Sequence, residues 1–266
     1  MSVRWPALPS VILLLMLLAS SACTNVGPAG PYGLRTNSGG ESTNVARRIA
    51  GAARAAAVQP GTWVPLAGAG LLALGSLDED LAEWASREQP VFGANAADRS
   101  DDLRDFATLS FFASAAFAPS ERLRDKFGGI AVGVGAMLVE GGVTEALKSV
   151  SSRQRPNGRG DRSFPSGHAA QASSRSVLTL RTLQHYQLTP WQRRLAQIGY
   201  VGTAGATAWA RVEADKHYPT DVLVGLAIGS FLANFAHNLF LTDTGLTLTL
   251  QPEHKGVRLT LGMPLP

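Results

Sequence analysis

The stretch Arg211-Val-Glu-Ala-Asp-Lys-His217-Tyr-Pro219-Thr-Asp221-Val-Leu-Val-Gly-Leu-Ala-Ile-Gly-Ser-Phe-Leu-Ala-Asn-Phe235 decides the fold. From Asp221 onward it is strongly apolar and holds a helix over 219–241, long enough to span a membrane on its own. Asp221 falls in the first turn, just after Pro219, where a carboxylate is favoured by the helix dipole. His217 and Asp221, four apart, lie on one face of a helix. Taken alone, such a pair is more often a surface or core hydrogen bond than a catalytic dyad.

Working outward, further apolar segments lie at 63–77, 104–118, 128–149, 168–186 and 191–210. Pro190 suits the first turn of the last of these. Ser120 reads as an N-cap, because Glu121 and charged residues follow it. The glycines at 128, 129, 133, 135, 141 and 142 weaken a helix intrinsically, so 128–149 reads as a central helix whose backbone packs closely. The segments predict an all-α fold: a bundle of about six helices over 61–241. The stretch from 78 to about 103 reads as a polar connection. In the tail, Leu246, Leu248 and Leu250 alternate with threonines, and Val257, Leu259 and Leu261 repeat the period, which predicts a β-hairpin within 242–266.

The 266 residues suit one sizeable domain. The net charge of +4 suits an anionic substrate. Its basic residues are scattered, which argues against a nucleic-acid partner. One cysteine excludes an internal disulfide and a Cys-based metal site. Residues 1–22 read as an export signal: Arg4, then the apolar Val11–Leu18, then the small residues Ser20-Ser21-Ala22. Cys23 follows directly, placed as the lipidated cysteine of a lipoprotein. Residues 23–60 read as a tether, with a short amphipathic helix around Arg47, Arg48 and Arg54. The expected location is the periplasm, with anchorage to the outer or inner membrane through a lipid or the apolar helices. Gln171, Arg175, Arg181, Gln184 and His185 make 168–186 costly in hydrocarbon, which favours an exported helical domain over a spanning bundle.

Three blocks carry the chemistry: Lys148-x6-Arg155-Pro156, Pro165-Ser166-Gly167-His168 and Arg211-x5-His217-x3-Asp221. Singly, each has an ordinary reading, as a helix-terminal lysine, a basic loop with Arg153, Arg159 and Arg162, or a turn and cap. Jointly they supply three fixed cations, a tight Ser-Gly turn, two histidines and a carboxylate. A phosphoryl group in flight spreads charge over three oxygens, so its transfer needs positioning and charge stabilisation. Lys148, Arg155 and Arg211 can meet those oxygens, with Ser166 and the Gly167 amide beside them. These cations make a metal or other cofactor unnecessary.

In this order and spacing, the blocks resemble the three-part signature of the type-2 phosphatidic acid phosphatase superfamily, which includes bacterial acid phosphatases, lipid phosphatases and vanadium haloperoxidases. The resemblance covers about 104–240. Ala210 departs from it, standing where the family usually has serine. The resemblance implies that His217 is a nucleophile forming a phosphohistidine and that Asp221 accepts its other ring N–H. It implies that His168 protonates the leaving oxygen and then activates water. The expected substrate is a phosphate monoester or pyrophosphate, tilted toward lipids by the apolar segments. A non-specific acid phosphatase, a vanadium-dependent haloperoxidase and a non-enzymatic envelope protein are the competing readings; Asp221 and the modest length favour the phosphatase branch over the haloperoxidase.

Overall fold

The computed structural model describes residues 45–119, 123–241, 247–253 and 256–262. The expected signal peptide, Cys23, the tether before residue 45 and the cap at Ser120 lie outside the described residues.

Eight helices lie among the described residues: α1 Val45–Ala57, α2 Pro60–Leu72, α3 Leu77–Glu88, α4 Ala96–Ala116, α5 Leu123–Ser151, α6 Gly167–Leu183, α7 Pro190–Glu213 and α8 Pro219–Phe240. Two short strands, Thr247–Glu253 and Gly256–Gly262, pair antiparallel at the end of the chain. The expectation of about six helices over 61–241 is corrected by α3, while α1 lies where a short amphipathic helix was expected around Arg47, Arg48 and Arg54. Helix α3 sits in the stretch read as a polar connection. It carries Asp78, Glu79 and Asp80 in its first turn and Arg87 in its last, a charge order that matches the helix dipole. Its core-facing residues, Ala82 and Ala85, are too small to make an apolar period visible.

The helix starts follow from local chemistry. Ser166 caps α6 by accepting from the Ala169 amide. Thr189 and Gln192 form a capping box at α7, with Pro190 in its first turn. At α8, Asp221 reaches back to the Tyr218 amide at 2.9 Å.

Helices α6 and α8 form the centre. A Cβ on Gly225 would lie 2.5 Å from the Ser166 carbonyl oxygen, and one on Gly229 would collide with the Ala170 carbonyl. Only glycine allows this crossing, and the crossing presses the N-terminus of α8 against the turn before α6. Around it the core is rich in alanine, with Ala169, Ala208, Val212 and Val222 in one cluster and Phe111, Leu178 and Ala233 in another.

Helix α5 is peripheral, not central. Only 28% of its most apolar stretch is buried. An added Cβ would meet nothing within 4 Å at Gly135, Gly141 or Gly142, whereas Gly133 does lie against the Phe111 ring. Lys126–Ser151 and Pro219–Phe240 are both long and apolar enough to cross a membrane. The polar residues of α6 turn inward. Arg175 donates to Glu140 at 2.6 Å, and Arg181 donates to Asn234 at 2.6 Å. The outer faces instead carry Phe106, Leu109, Leu138, Val139 and Val150, all exposed.

Candidate active site

The turn Pro165–His168 lies between the loop that leaves α5 and the start of α6. The Ser166 amide donates to the Asp221 carbonyl at 3.0 Å, which ties the turn to α8. Ser166 is fully buried. Lys148, in the last turn of α5, comes to this turn: a Cβ on Gly167 would stand 3.2 Å from its Nζ. The Lys148 ammonium also pairs with Glu145 at 3.0 Å.

Arg211 is 8% exposed and donates to Ser100 Oγ at 3.2 Å. Burial pulls its guanidinium down to about 10, against the nearby Asp101 carboxylate, and Arg155 and Arg104 push the same way. The cations therefore crowd one place. The Nε donors of Arg155 and Arg211 are buried with no hydrogen-bond partner. A buried donor left unpaired costs about 1–3 kcal/mol, so an anion that accepts from both stabilises the site.

His217 is 2% exposed. Its Nδ1 lies 2.7 Å from the Ser163 carbonyl oxygen. A carbonyl only accepts, so Nδ1 carries the proton and Nε2 the lone pair. Burial pushes the imidazole below its ordinary value, and Arg211 adds to this. Asp221 and the Ser163 carbonyl oppose the shift. Asp221 was expected to accept the His217 ring N–H, but its Oδ2 stands 3.8 Å from Nδ1. That carboxylate is engaged elsewhere: it accepts from Ser163 Oγ at 2.5 Å, from Arg153 Nη1 at 2.6 Å and from the Tyr218 amide at 2.9 Å. Asp221 therefore bears on His217 through Ser163, which holds the carboxylate with its hydroxyl and the imidazole with its carbonyl.

Arg153, read from the sequence as one of several basic loop residues, is the hub behind this pair. Its Nη2 donates to Asp78 at 2.7 Å, its Nη1 donates to Thr220 Oγ1 at 2.8 Å, and its guanidinium lies 4.1 Å from the Tyr218 ring centroid. Asp78, from α3, also accepts from the Thr220 amide at 2.8 Å. Beside this network a cleft of about 520 Å³ is lined by the apolar Leu66, Ala69, Phe164 and Val224 and by the charged Asp78, Glu79 and Arg153.

His168 opens α6. Its Nε2 lies 2.7 Å from Asp101 Oδ1 and 2.8 Å from Arg104 Nη1. Burial lowers the imidazole to about 4, with Arg211 and Arg104 adding to the shift and Asp101 opposing it. Asp101 and Arg104 belong to α4, outside the three blocks. Glu213 steadies the approach to that helix by accepting from the amides of Val91 and Phe92 at 2.6 and 2.8 Å. Ala210, at the position that departs from the family pattern, is fully buried. Thus the structure gathers Ser166, Gly167, His168 and Lys148 at the turn, and His217 and Asp221 against it through Ser163. Arg155 and Arg211 bring their charges to the same place.

The sequence pattern of the PAP2 superfamily matches residues 130–244. The lipid A 1-phosphatase of Porphyromonas gingivalis is 31% identical over 124 residues, which are 45% of this chain and 26% of that protein. The chain thus matches about a quarter of the length of this curated relative. The crystal structure of a transmembrane PAP2-type phosphatidylglycerolphosphate phosphatase from Bacillus subtilis superposes over 86% of this chain and 94% of that one, with a TM-score of 0.40 and 16% identity. All three sequence blocks lie within residues 130–244, the part of the chain that is similar to the PAP2 superfamily.

Proposed function

We propose that this protein is a metal-independent phosphatase that hydrolyses a lipid phosphate monoester or pyrophosphate through a phosphohistidine on His217. The observation that carries the reading is the His217 ring: Nδ1–H is committed to the Ser163 carbonyl, which leaves the lone pair on Nε2, and the Arg211 guanidinium lies close enough to depress the ring. On this reading Nε2 bonds to phosphorus as the bond to the leaving oxygen breaks, and His168 gives that oxygen a proton. Water then loses a proton to His168 as its oxygen bonds to phosphorus and the bond from phosphorus to Nε2 breaks, returning the lone pair to His217 and releasing inorganic phosphate. Lys148, Arg155, Arg211, Ser166 and the Gly167 amide hold the phosphoryl oxygens in both steps.

Two features support a lipid substrate: the relative named for lipid A and the apolar outer faces. The same faces support membrane association of the bundle, in addition to export directed by residues 1–22 and a lipid on Cys23. Phosphate release without added metal is the test. The panel is lipid A, phosphatidylglycerophosphate, phosphatidic acid, an isoprenyl pyrophosphate and p-nitrophenyl phosphate. Release from one lipid far above the soluble ester supports the reading. Equal release from all points to a non-specific phosphatase, and none from any contradicts it. Arg211→Ala removes a forked donor and is expected to lower kcat/KM about 100- to 1,000-fold.

A further inference from the structure

We propose that Asp101 and Arg104 of α4 are a positioning pair that fixes the orientation of the His168 ring and balances its charge. The inference rests on the phosphatase reading for what His168 does, and on geometry for how it is held. Both partners address one ring nitrogen: Nε2 lies 2.7 Å from the Asp101 carboxylate and 2.8 Å from the Arg104 guanidinium. The two also bind each other at 3.0 Å, and Arg104 pairs with Asp105 at 2.9 Å. In a neutral ring Nε2 serves one of them at a time. Donating to Asp101 leaves the lone pair on Nδ1, and accepting from Arg104 leaves the proton there.

A group that gives a proton in one step and takes one in the next needs both forms within reach. Opposite charges on a single nitrogen hold the ring in place in both forms, the imidazolium donating to Asp101 and the neutral ring accepting from Arg104. The pair also balances charge: the carboxylate favours the imidazolium and the guanidinium disfavours it. The other charged groups around His168 are Arg211 from α7, Lys148 of α5 against neighbouring Gly167, and His217 and Asp221 at the start of α8. Of these, Arg211 itself feels Asp101 and Arg104, so a change at either reaches His168 through it as well as directly.

Asp101→Asn and Arg104→Gln in the intact protein separate this proposal from a structural role. The two changes lie on one turn of one helix, yet they are expected to act oppositely. Asp101→Asn moves the basic limb of kcat/KM to lower pH and Arg104→Gln moves it to higher pH, each by about one unit. Asp101→Asn also lowers kcat about 10- to 100-fold with KM little changed. That loss is larger for an alkyl phosphate than for p-nitrophenyl phosphate, whose leaving group needs little proton help. The imidazole titration of His168, followed by NMR, reports the same opposite shifts without turnover. If the wild-type protein releases no phosphate, the phosphatase reading fails and the NMR titration still judges the pair. Equal or parallel shifts in the two variants overturn the pair, whatever the activity.

Discussion

Arg153 shows how one side chain can hold a site that it does not enter. Its guanidinium bridges Asp78 and Asp221, both nearly or fully buried, and stacks on Tyr218. Removing one partner of such a network leaves carboxylates desolvated and unpaired, at a cost of about 3–5 kcal/mol where burial is complete. Arg153 is a third exposed, so Arg153→Ala is expected to lose about 2 kcal/mol in urea unfolding, together with most activity. Unchanged unfolding would remove Arg153 from this role. The residues proposed to hold phosphate were legible because three blocks carry them at short spacings. Arg153, Ser163, Asp78, Asp101 and Arg104 were not. Their partners lie far off in sequence, and a basic loop residue or a polar helix turn has an ordinary reading until the fold brings the partner to it. The resemblance implied that Asp221 takes the His217 ring N–H; the spacing could not show that His217 precedes α8 and that the Ser163 carbonyl stands closer to Nδ1.

At the scale of elements, the crossing of α6 and α8 sets the site. Gly229 has the Ala170 backbone where its side chain would be, so Gly229→Ala is expected to destabilise by about 1–3 kcal/mol through overpacking. Gly141, on the outward side of α5, has open space instead, so Gly141→Ala is expected to be neutral or to stabilise by up to about 1 kcal/mol. Thermal unfolding of the two variants checks both signs, and a tolerated Gly229→Ala would contradict the packing. Six of the eight helices were legible from apolar runs and from Pro190 and Pro219. Helix α1 was legible only as an amphipathic pattern around its arginines, and α3 was hidden because alanine carries its buried face. The glycines of α5 misled the placement of the centre, because composition cannot tell a glycine that admits a neighbour from one that faces outward.

For the whole molecule, folding buries neutral histidines and turns apolar faces out. His168 and His185 both titrate near about 4 in the folded chain, chiefly because burial disfavours the charged ring, against an ordinary value of 6.5. Above pH 6.5 neither state binds the protons and they contribute nothing. Between 6.5 and about 4 the unfolded chain takes protons that the folded chain refuses, so stability falls as pH drops through that window. Urea midpoints at pH 7.5, 5.5 and 4.5 should decline in that order, and a flat series would contradict the burial of these rings. The polar residues of α6 argued from sequence against a spanning bundle, yet the fold pairs Arg175 and Arg181 internally and leaves the outer faces apolar. Sequence shows that a charge is present and cannot show which way it turns.

The central claim is that His217 takes the phosphoryl group. Brief reaction with a substrate labelled in its phosphate, an alkaline denaturing quench and peptide mass spectrometry test it most directly. A phosphoryl group on His217 is expected, absent from His217→Asn and accumulating in His168→Asn, where water is no longer activated. Turnover with no label on His217, or a His217→Asn variant within tenfold of the unaltered protein, would contradict it.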